Sequence, residues 1–488
     1  MTNSNARLTR RRFLSHATGA MVASALPLRR AIAGDRAAPD GAIDIAIIGG
    51  GLAGLTAARD LRRAGCESFV VLEGRDRVGG RTYNHDLGGG RISEGGGQWI
   101  GPTQTAIADL ARELDVGTFT TYYQGDIVLL AGEGRVQAKF DGSFGANAAL
   151  TAELDRMARS VPSGEPWKAP KAAELDGMSL ADWLADKNLS AEDKIAWNLG
   201  SVLSGGVTPP KLSLLYYLSM INSAGSYEVL EGVKDGAQET RFVGGSQILS
   251  LKVAEALGDK VRLSTPVSRI SDWQQGPVTL ETPNGPVQAR CVIVALSPGL
   301  CNRIAFDPPL PAKRRELQAE WPTYAPGMKT ALVYETPFWR AKGLNGMVIM
   351  ARGPVLWSYD NSPPDASIGV INAFVMQSMM PPEPKAQQRM LVDIYTRAFG
   401  GEALHPTAYH ALDWGQEPFT ISCVSPMPPG FLTRFRDTLR VPAGRLIWSG
   451  TETAEIWNGY MDGAVRSGHQ AALQALQALR DERRDREV

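Results

Sequence analysis

Apolar residues recur along this chain with two periods. The run 43–48, Ile-Asp-Ile-Ala-Ile-Ile, is β-branched, has the length of a strand and stops at a glycine cluster. Directly after it, apolar residues in 52–64 repeat at helical spacing, and Gly65 suits a helix C-terminus. Phe69-Val70-Val71-Leu72-Glu73 then predicts a second strand. Strand, helix and strand together span about 30 residues, the size of a βαβ unit. Further on, 261–270, 278–281, 289–296 and 445–449 predict more strands. Phe242-Val243-Gly244-Gly245-Ser246 opens another helical stretch, and an alanine-rich helix ends the chain.

Segments of different character lie between these pieces. One, 146–220, is helical, rich in Trp and Leu and broken at Pro162-Ser163-Gly164; the other, 307–436, is mixed. Because the two kinds alternate, the pattern predicts two discontinuous domains in an α/β (α+β two-domain) fold. The first is Rossmann-like and the second, interleaved with it, combines mixed sheet and helices. A length of 488 residues agrees, since it exceeds what one core usually organises.

The chain carries 51 basic and 51 acidic residues, a balance that argues against nucleic acid as a partner. The balance is uneven: residues 1–33 hold six arginines and no acid, leaving 45 basic against 51 acidic residues elsewhere. Thr9-Arg10-Arg11-Arg12-Phe13-Leu14 has twin-arginine form, an apolar run follows over 17–28, and Ala31-Ile32-Ala33 offers a cleavage site after Ala33. A periplasmic protein, delivered already folded by the twin-arginine export machinery, is expected. No uninterrupted stretch reaches the roughly 20 apolar residues of a membrane span. Four cysteines form no CxxC pair and five histidines show no ligand spacing, so no metal is expected.

Candidate chemistry begins at Gly49-Gly50-Gly51-Leu52-Ala53-Gly54. Glycines at 49, 51 and 54 allow a tight turn, close approach of backbone to a pyrophosphate, and close packing of helix on strand. Phosphate charge would then face a helix N-terminus. Glu73 ends the second strand, where a carboxylate can accept hydrogen bonds from a ribose diol.

Which dinucleotide is bound is read further along. Arg75-Asp76-Arg77-Val78-Gly79-Gly80-Arg81-Thr82 resembles the loop of the flavin amine oxidase superfamily that lies along FAD. The resemblance extends to its monoamine oxidase branch through Glu94-Gly95-Gly96-Gly97-Gln98-Trp99-Ile100-Gly101-Pro102-Thr103-Gln104, Phe242 to Ser246, and Tyr334-Glu335-Thr336-Pro337-Phe338-Trp339. It continues through Ser449-Gly450-Thr451-Glu452-Thr453-Ala454 and Trp457-Asn458-Gly459-Tyr460-Met461-Asp462-Gly463-Ala464-Val465. These motifs follow one order from about 43 to 475.

The resemblance implies an FAD-binding domain formed by 42–115, 235–300 and 440–480, and a substrate-binding domain formed by 116–234 and 301–439. It implies that Gly79, Gly80, Arg81 and Thr82, with Gly97, Gln98 and Trp99, contact the flavin side, and Val267 the adenine end. Glu452, Tyr460 and Met461 would hold the ribityl chain and pyrimidine ring, with Trp414 beside the flavin. Lys329 matches the family lysine that reaches flavin N5 through a water, and Tyr460 one wall of an aromatic cage for the amine. Gln238 and Trp357 fall near substrate-cavity positions. Counting forward from Trp414 places Cys423 where some relatives attach FAD covalently, and Val424 at the second cage wall. Counting back from Pro428-Pro429-Gly430 shifts each by one, and either way the second aromatic is missing. Dissociable FAD with an ordinary buried cysteine is the simpler expectation, as are buried thiols at Cys66, Cys291 and Cys301.

The activity implied is oxidation of a primary or secondary amine to an imine, which hydrolyses to an aldehyde or ketone, with electrons passing to O2 or a periplasmic carrier. An L-amino-acid oxidase would need an arginine fork for the carboxylate, and the loop 95–104 contains no arginine. A flavin-binding interaction protein without turnover is the alternative from another class. A homodimer is possible on the family pattern.

Overall fold

The computed structural model describes residues 41–143, 147–323, 327–421 and 426–487. The expected export segment, Cys423 and Val424 therefore lie outside the described residues. The first predicted unit forms as strand Ile43–Ile48, helix Leu52–Arg63 and strand Phe69–Leu72. Gly65 follows the helix with φ +82°, a left-handed conformation that a glycine adopts without steric cost.

These strands belong to an eight-stranded sheet. Its order is Val261–Arg262, Phe69–Leu72, Ile43–Ile48, Val287–Val294, Val278–Glu281, Arg269–Ser271 and Ala305–Asp307, with Leu446–Trp448 also paired to Val287–Val294. The strands around Ile43–Ile48 run parallel, and Val278–Glu281 pairs antiparallel on both sides. One face packs Ile45 and Ile47 against Leu55 and Leu61 of the first helix and Val465 and Ala472 of the terminal helix Met461–Glu487. The other buries Ala46, Ile48, Val292, Val294 and Trp448. Burial on both faces explains why the first strand reads as a nearly continuous apolar run.

Two details differ from the pattern-based expectation. The run 261–270 is two short strands, separated by a loop in which Ser264 takes φ +50° and Pro266 follows. Proline cannot donate to a sheet ladder, so the pairing breaks there. Ala305–Asp307 pairs with Arg269–Ser271, so this sheet extends past residue 300 into sequence assigned to the other domain.

An antiparallel four-stranded sheet, ordered Val355–Asp360, Gly369–Met376, Gly327–Tyr334 and Ala408–Asp413, forms a second layer. The helices Ala148–Ala158, Ala191–Gly205 and Leu214–Ala224 occupy the stretch predicted helical. Cys66, Cys291 and Cys301 are free, buried thiols. Among the described residues, no helix is long and apolar enough to cross a membrane.

Candidate active site

A long cleft of about 1950 Å³, its open mouth included, runs between the two sheets. At one end lie Gly49, Gly51 and Glu73; at the other lie Trp99, Trp357, Phe374 and Tyr460.

The phosphate end is shaped by what glycine permits. Gly49 has φ +107°, and a Cβ on Gly54 would lie 2.0 Å from the Gly49 carbonyl oxygen. No side chain caps the helix Leu52–Arg63 at Gly51, so its first N–H groups are available to an anion. Glu73 is buried and accepts hydrogen bonds from the Gly50 N–H at 2.7 Å and the Arg75 N–H at 2.9 Å. A carboxylate has about four acceptor positions, so it can fix this loop and still accept from a diol.

Along the middle run Gly79, Gly80, Arg81, Thr82, Gly96, Gly97, Gln98, Trp99, Trp414 and Met461. The Trp414 indole N–H donates to the Gly95 carbonyl at 2.9 Å, which seats the ring against this loop. Helix Met461–Glu487 begins at the cleft wall, so its positive dipole end faces the cleft. A buried acidic groove end, an uncapped helix start and a glycine-lined floor together fit FAD.

Two further implied cofactor contacts, Glu452 and Val267, are buried. Glu452 is 1% exposed and stands behind the wall made by Gly450 and Thr451, where it holds Arg81 at 2.8 and 3.1 Å. It acts on the cleft through that arginine. The Val267 side chain packs in the core with Ile48 and Leu72.

Lys329 rises from strand Gly327–Tyr334 into the middle of the cleft. Its ammonium donates to the Gly96 carbonyl at 2.7 Å and to Gln98 Oε1, and lies 5.4 Å from the ring centres of both Trp99 and Phe374. Gln98 is the hub of a buried network. Its Oε1 also accepts the Tyr359 hydroxyl at 2.8 Å, and its Nε2 donates to Asn361 Oδ1 at 2.9 Å. Asn361 in turn donates to Glu94 Oε2 at 2.9 Å, which Arg241 meets at 2.8 Å. Burial alone would push the Glu94 carboxyl up, but Arg241 and then Lys329 outweigh it and hold it below the ordinary carboxylate range.

At the far end, Trp99 stacks on Trp357 at 5.3 Å, and Trp357 on Phe374 at 6.1 Å. Trp357 and Phe374 face each other in register across neighbouring strands. Tyr460 meets Trp457 edge-on at 4.7 Å, and burial pushes its phenol well above the ordinary range. Gln238 lines the same end, as do Val202, Leu203, Ser204 and Leu356. The Gln238 amide, turned with its nitrogen toward the Gly232 carbonyl, donates at 2.6 Å. Phe374, Tyr359, Asn361 and Ser204 escaped the sequence reading.

A dinucleotide cleft on a Rossmann-like sheet, with a buried lysine between the glycine floor and an aromatic chamber, defines a flavoenzyme that oxidises small molecules. The flavin containing amine oxidoreductase family matches residues 52–476. The chain belongs to this family, as a flavin-dependent amine oxidase with FAD as its cofactor. It is 34% identical over 463 residues to the flavin-containing amine oxidase B of Bos taurus, covering 89% of this chain and 86% of that one. Among solved structures, a putrescine oxidase bound to putrescine superposes with TM-score 0.81 at 34% identity, over 89% of this chain and 99% of that one. The cyclohexylamine oxidase of Brevibacterium oxydans IH-35A superposes with TM-score 0.81 at 32% identity, over 90% of this chain and all of that one (100%).

Proposed function

We propose that this amine oxidase acts on apolar primary or secondary monoamines, giving an imine that hydrolyses to an aldehyde or ketone. The observation that carries the reading is the chamber of Trp99, Trp357, Phe374, Leu203, Leu356 and Tyr460. Among the described residues, these walls present no Asp, Glu or Arg. A second ammonium would lose its hydration there with no carboxylate in contact. Cyclohexylamine is thus a better guide than putrescine.

Bound FAD supplies the hydride acceptor. The chain's own residues orient and desolvate the amine: the stacked tryptophans and Tyr460 fix its apolar body, and their burial excludes water. Lys329 stands at the boundary between floor and chamber, where Gly96 and Gln98 hold it. Gly49, Gly51, Gly54 and Glu73 would hold the dinucleotide's phosphate and ribose end, and Arg81, paired with Glu452, would contact it further along the cleft. Electrons pass to O2 or to a periplasmic carrier, and the twin-arginine start directs the folded holoprotein to the periplasm.

Anaerobic mixing of the holoprotein with cyclohexylamine, benzylamine, putrescine and an L-amino acid tests the reading. The two monoamines should bleach the flavin fastest. Bleaching by putrescine or the amino acid ahead of both would refute the substrate class, and an unchanged spectrum with every amine would refute turnover. Cell fractionation with and without residues 1–33 tests export.

A further inference from the structure

The chamber is backed by a titratable group with no part in the chemistry above. Glu231 ends the short helix Tyr227–Glu231 and is 5% exposed. Its Oε1 accepts the Tyr217 hydroxyl at 2.8 Å and its Oε2 accepts the Ser204 hydroxyl at 2.7 Å. Ser204 is a wall of the cleft, and so is Tyr460, whose phenol pairs with Ser204 and feels the Glu231 charge. Helix Ala191–Gly205 packs against the carboxylate at Gly200, where even a Cβ would make only ordinary contact, 3.5 Å away. The carboxylate is therefore one hydroxyl removed from an apolar chamber.

We propose that Glu231 is a specificity determinant: acting through Ser204 and across the Tyr460 wall, its carboxylate draws a cationic amine into that chamber. The proposal rests on the reading of the chamber as the amine site. The groups facing Glu231 are Ser204 from helix Ala191–Gly205, Tyr217 from helix Leu214–Ala224, Tyr227 and Glu228 on its own helix, and Tyr460. None of these is a cation. Burial pushes the Glu231 carboxyl up to about 7, against the opposing bonds from Ser204 and Tyr217. Across low-dielectric protein an ionised carboxylate still attracts a cation several ångströms away, which in water it would scarcely do. Cation binding must then tighten as pH rises through the Glu231 titration, while a neutral ligand of similar shape is indifferent.

The test uses the holoprotein and two non-reacting probes, benzyltrimethylammonium and benzyl alcohol, with affinity read from the flavin spectrum. A permanent cation removes the ligand's own titration. Its Kd should tighten about tenfold between roughly pH 5.5 and 8.5, and that of benzyl alcohol should stay flat. In Glu231→Gln both should be flat, with the cation at its weak, acidic value. In Ser204→Ala the carboxylate survives but loses a bond that favours its charged form, so the midpoint should move to higher pH. A pH-independent cation affinity in the natural protein, an unchanged pH dependence in Glu231→Gln, or an unmoved midpoint in Ser204→Ala overturns the proposal. His85, lowered to about 4 chiefly by burial, titrates below this window. Failure of every amine to bleach the flavin would sink the oxidase reading alone, because this titration needs no turnover.

Discussion

Arg241→Met isolates the buried ion pair beneath the lysine. Arg241 and Glu94 side chains are 3% and 0% exposed and meet at 2.8 Å; Arg241 also donates to the carbonyls of Asn361 at 3.2 Å and Ser362 at 3.1 Å. Methionine keeps much of the apolar volume and removes the charge. Breaking one side of a buried pair costs about 3–5 kcal/mol, a large fraction of the roughly 5–15 kcal/mol that holds a domain folded. The sign of its pH dependence is the sharper check. In the natural protein the Glu94 carboxyl is held below its ordinary value, so its contribution is present above the unfolded pKa, about 4.3, and is lost as pH falls through the folded pKa. Without Arg241, burial dominates and the folded pKa rises above 4.3. The variant then loses about 1.4 kcal/mol per pH unit as pH climbs from the unfolded to the raised folded value. Urea unfolding should show a small gap between variant and natural protein near pH 4.5 and a gap of several kcal/mol near pH 7.5. The double variant Glu94→Leu with Arg241→Met should recover most of it. A gap that is constant with pH, or below about 1 kcal/mol throughout, would refute this account of the pair.

Three further outcomes follow from the cleft. Gly54→Ala, whose Cβ would lie 2.0 Å from the Gly49 carbonyl, should yield protein without yellow colour, measured as the flavin-to-protein absorbance ratio. Glu73→Gln replaces an acceptor of two backbone N–H bonds with a group that has one acceptor atom, and should weaken FAD at least tenfold, about 1.4 kcal/mol, in a reconstitution titration. Lys329→Met leaves the aromatic chamber in place but removes its fixed charge, and should slow flavin reduction or reoxidation on the order of a hundredfold in stopped-flow traces while FAD stays bound.

Local order explains what could be read without coordinates. The glycine loop, its strands and Glu73 lie within one βαβ unit, so spacing alone brings them together. The network under Lys329 shows the opposite case. Glu94, Gln98, Arg241, Lys329 and Asn361 come from four separate stretches of chain, and only the tertiary fold brings Gln98 against Lys329 and Asn361, and Glu94 against Asn361 and Arg241. The strand error at 261–270 has a local cause in Ser264 and Pro266, where β-branched residues on both sides masked a turn. Glu452 illustrates a contact that its motif does not reveal: the carboxylate pairs with Arg81, 371 residues away along the chain.

Two glutamates make the same point about charge. Glu94 and Glu231 are both buried carboxylates near the cleft, and composition treats them alike. Glu94 faces a guanidinium and an ammonium, so it stays ionised over the working pH range and behaves as a fixed charge under Lys329. Glu231 faces hydroxyls, which can stabilise a carboxylate but cannot neutralise it, so its charge is left to change near neutrality. The middle of the cleft is thereby insulated from pH and its chamber end exposed to it. Exchanging the partners should exchange the behaviours: placing a cation beside Glu231, as in Tyr217→Lys, should lower its titration and flatten the pH dependence of cation binding near neutrality, whereas hydroxyls alone cannot do so.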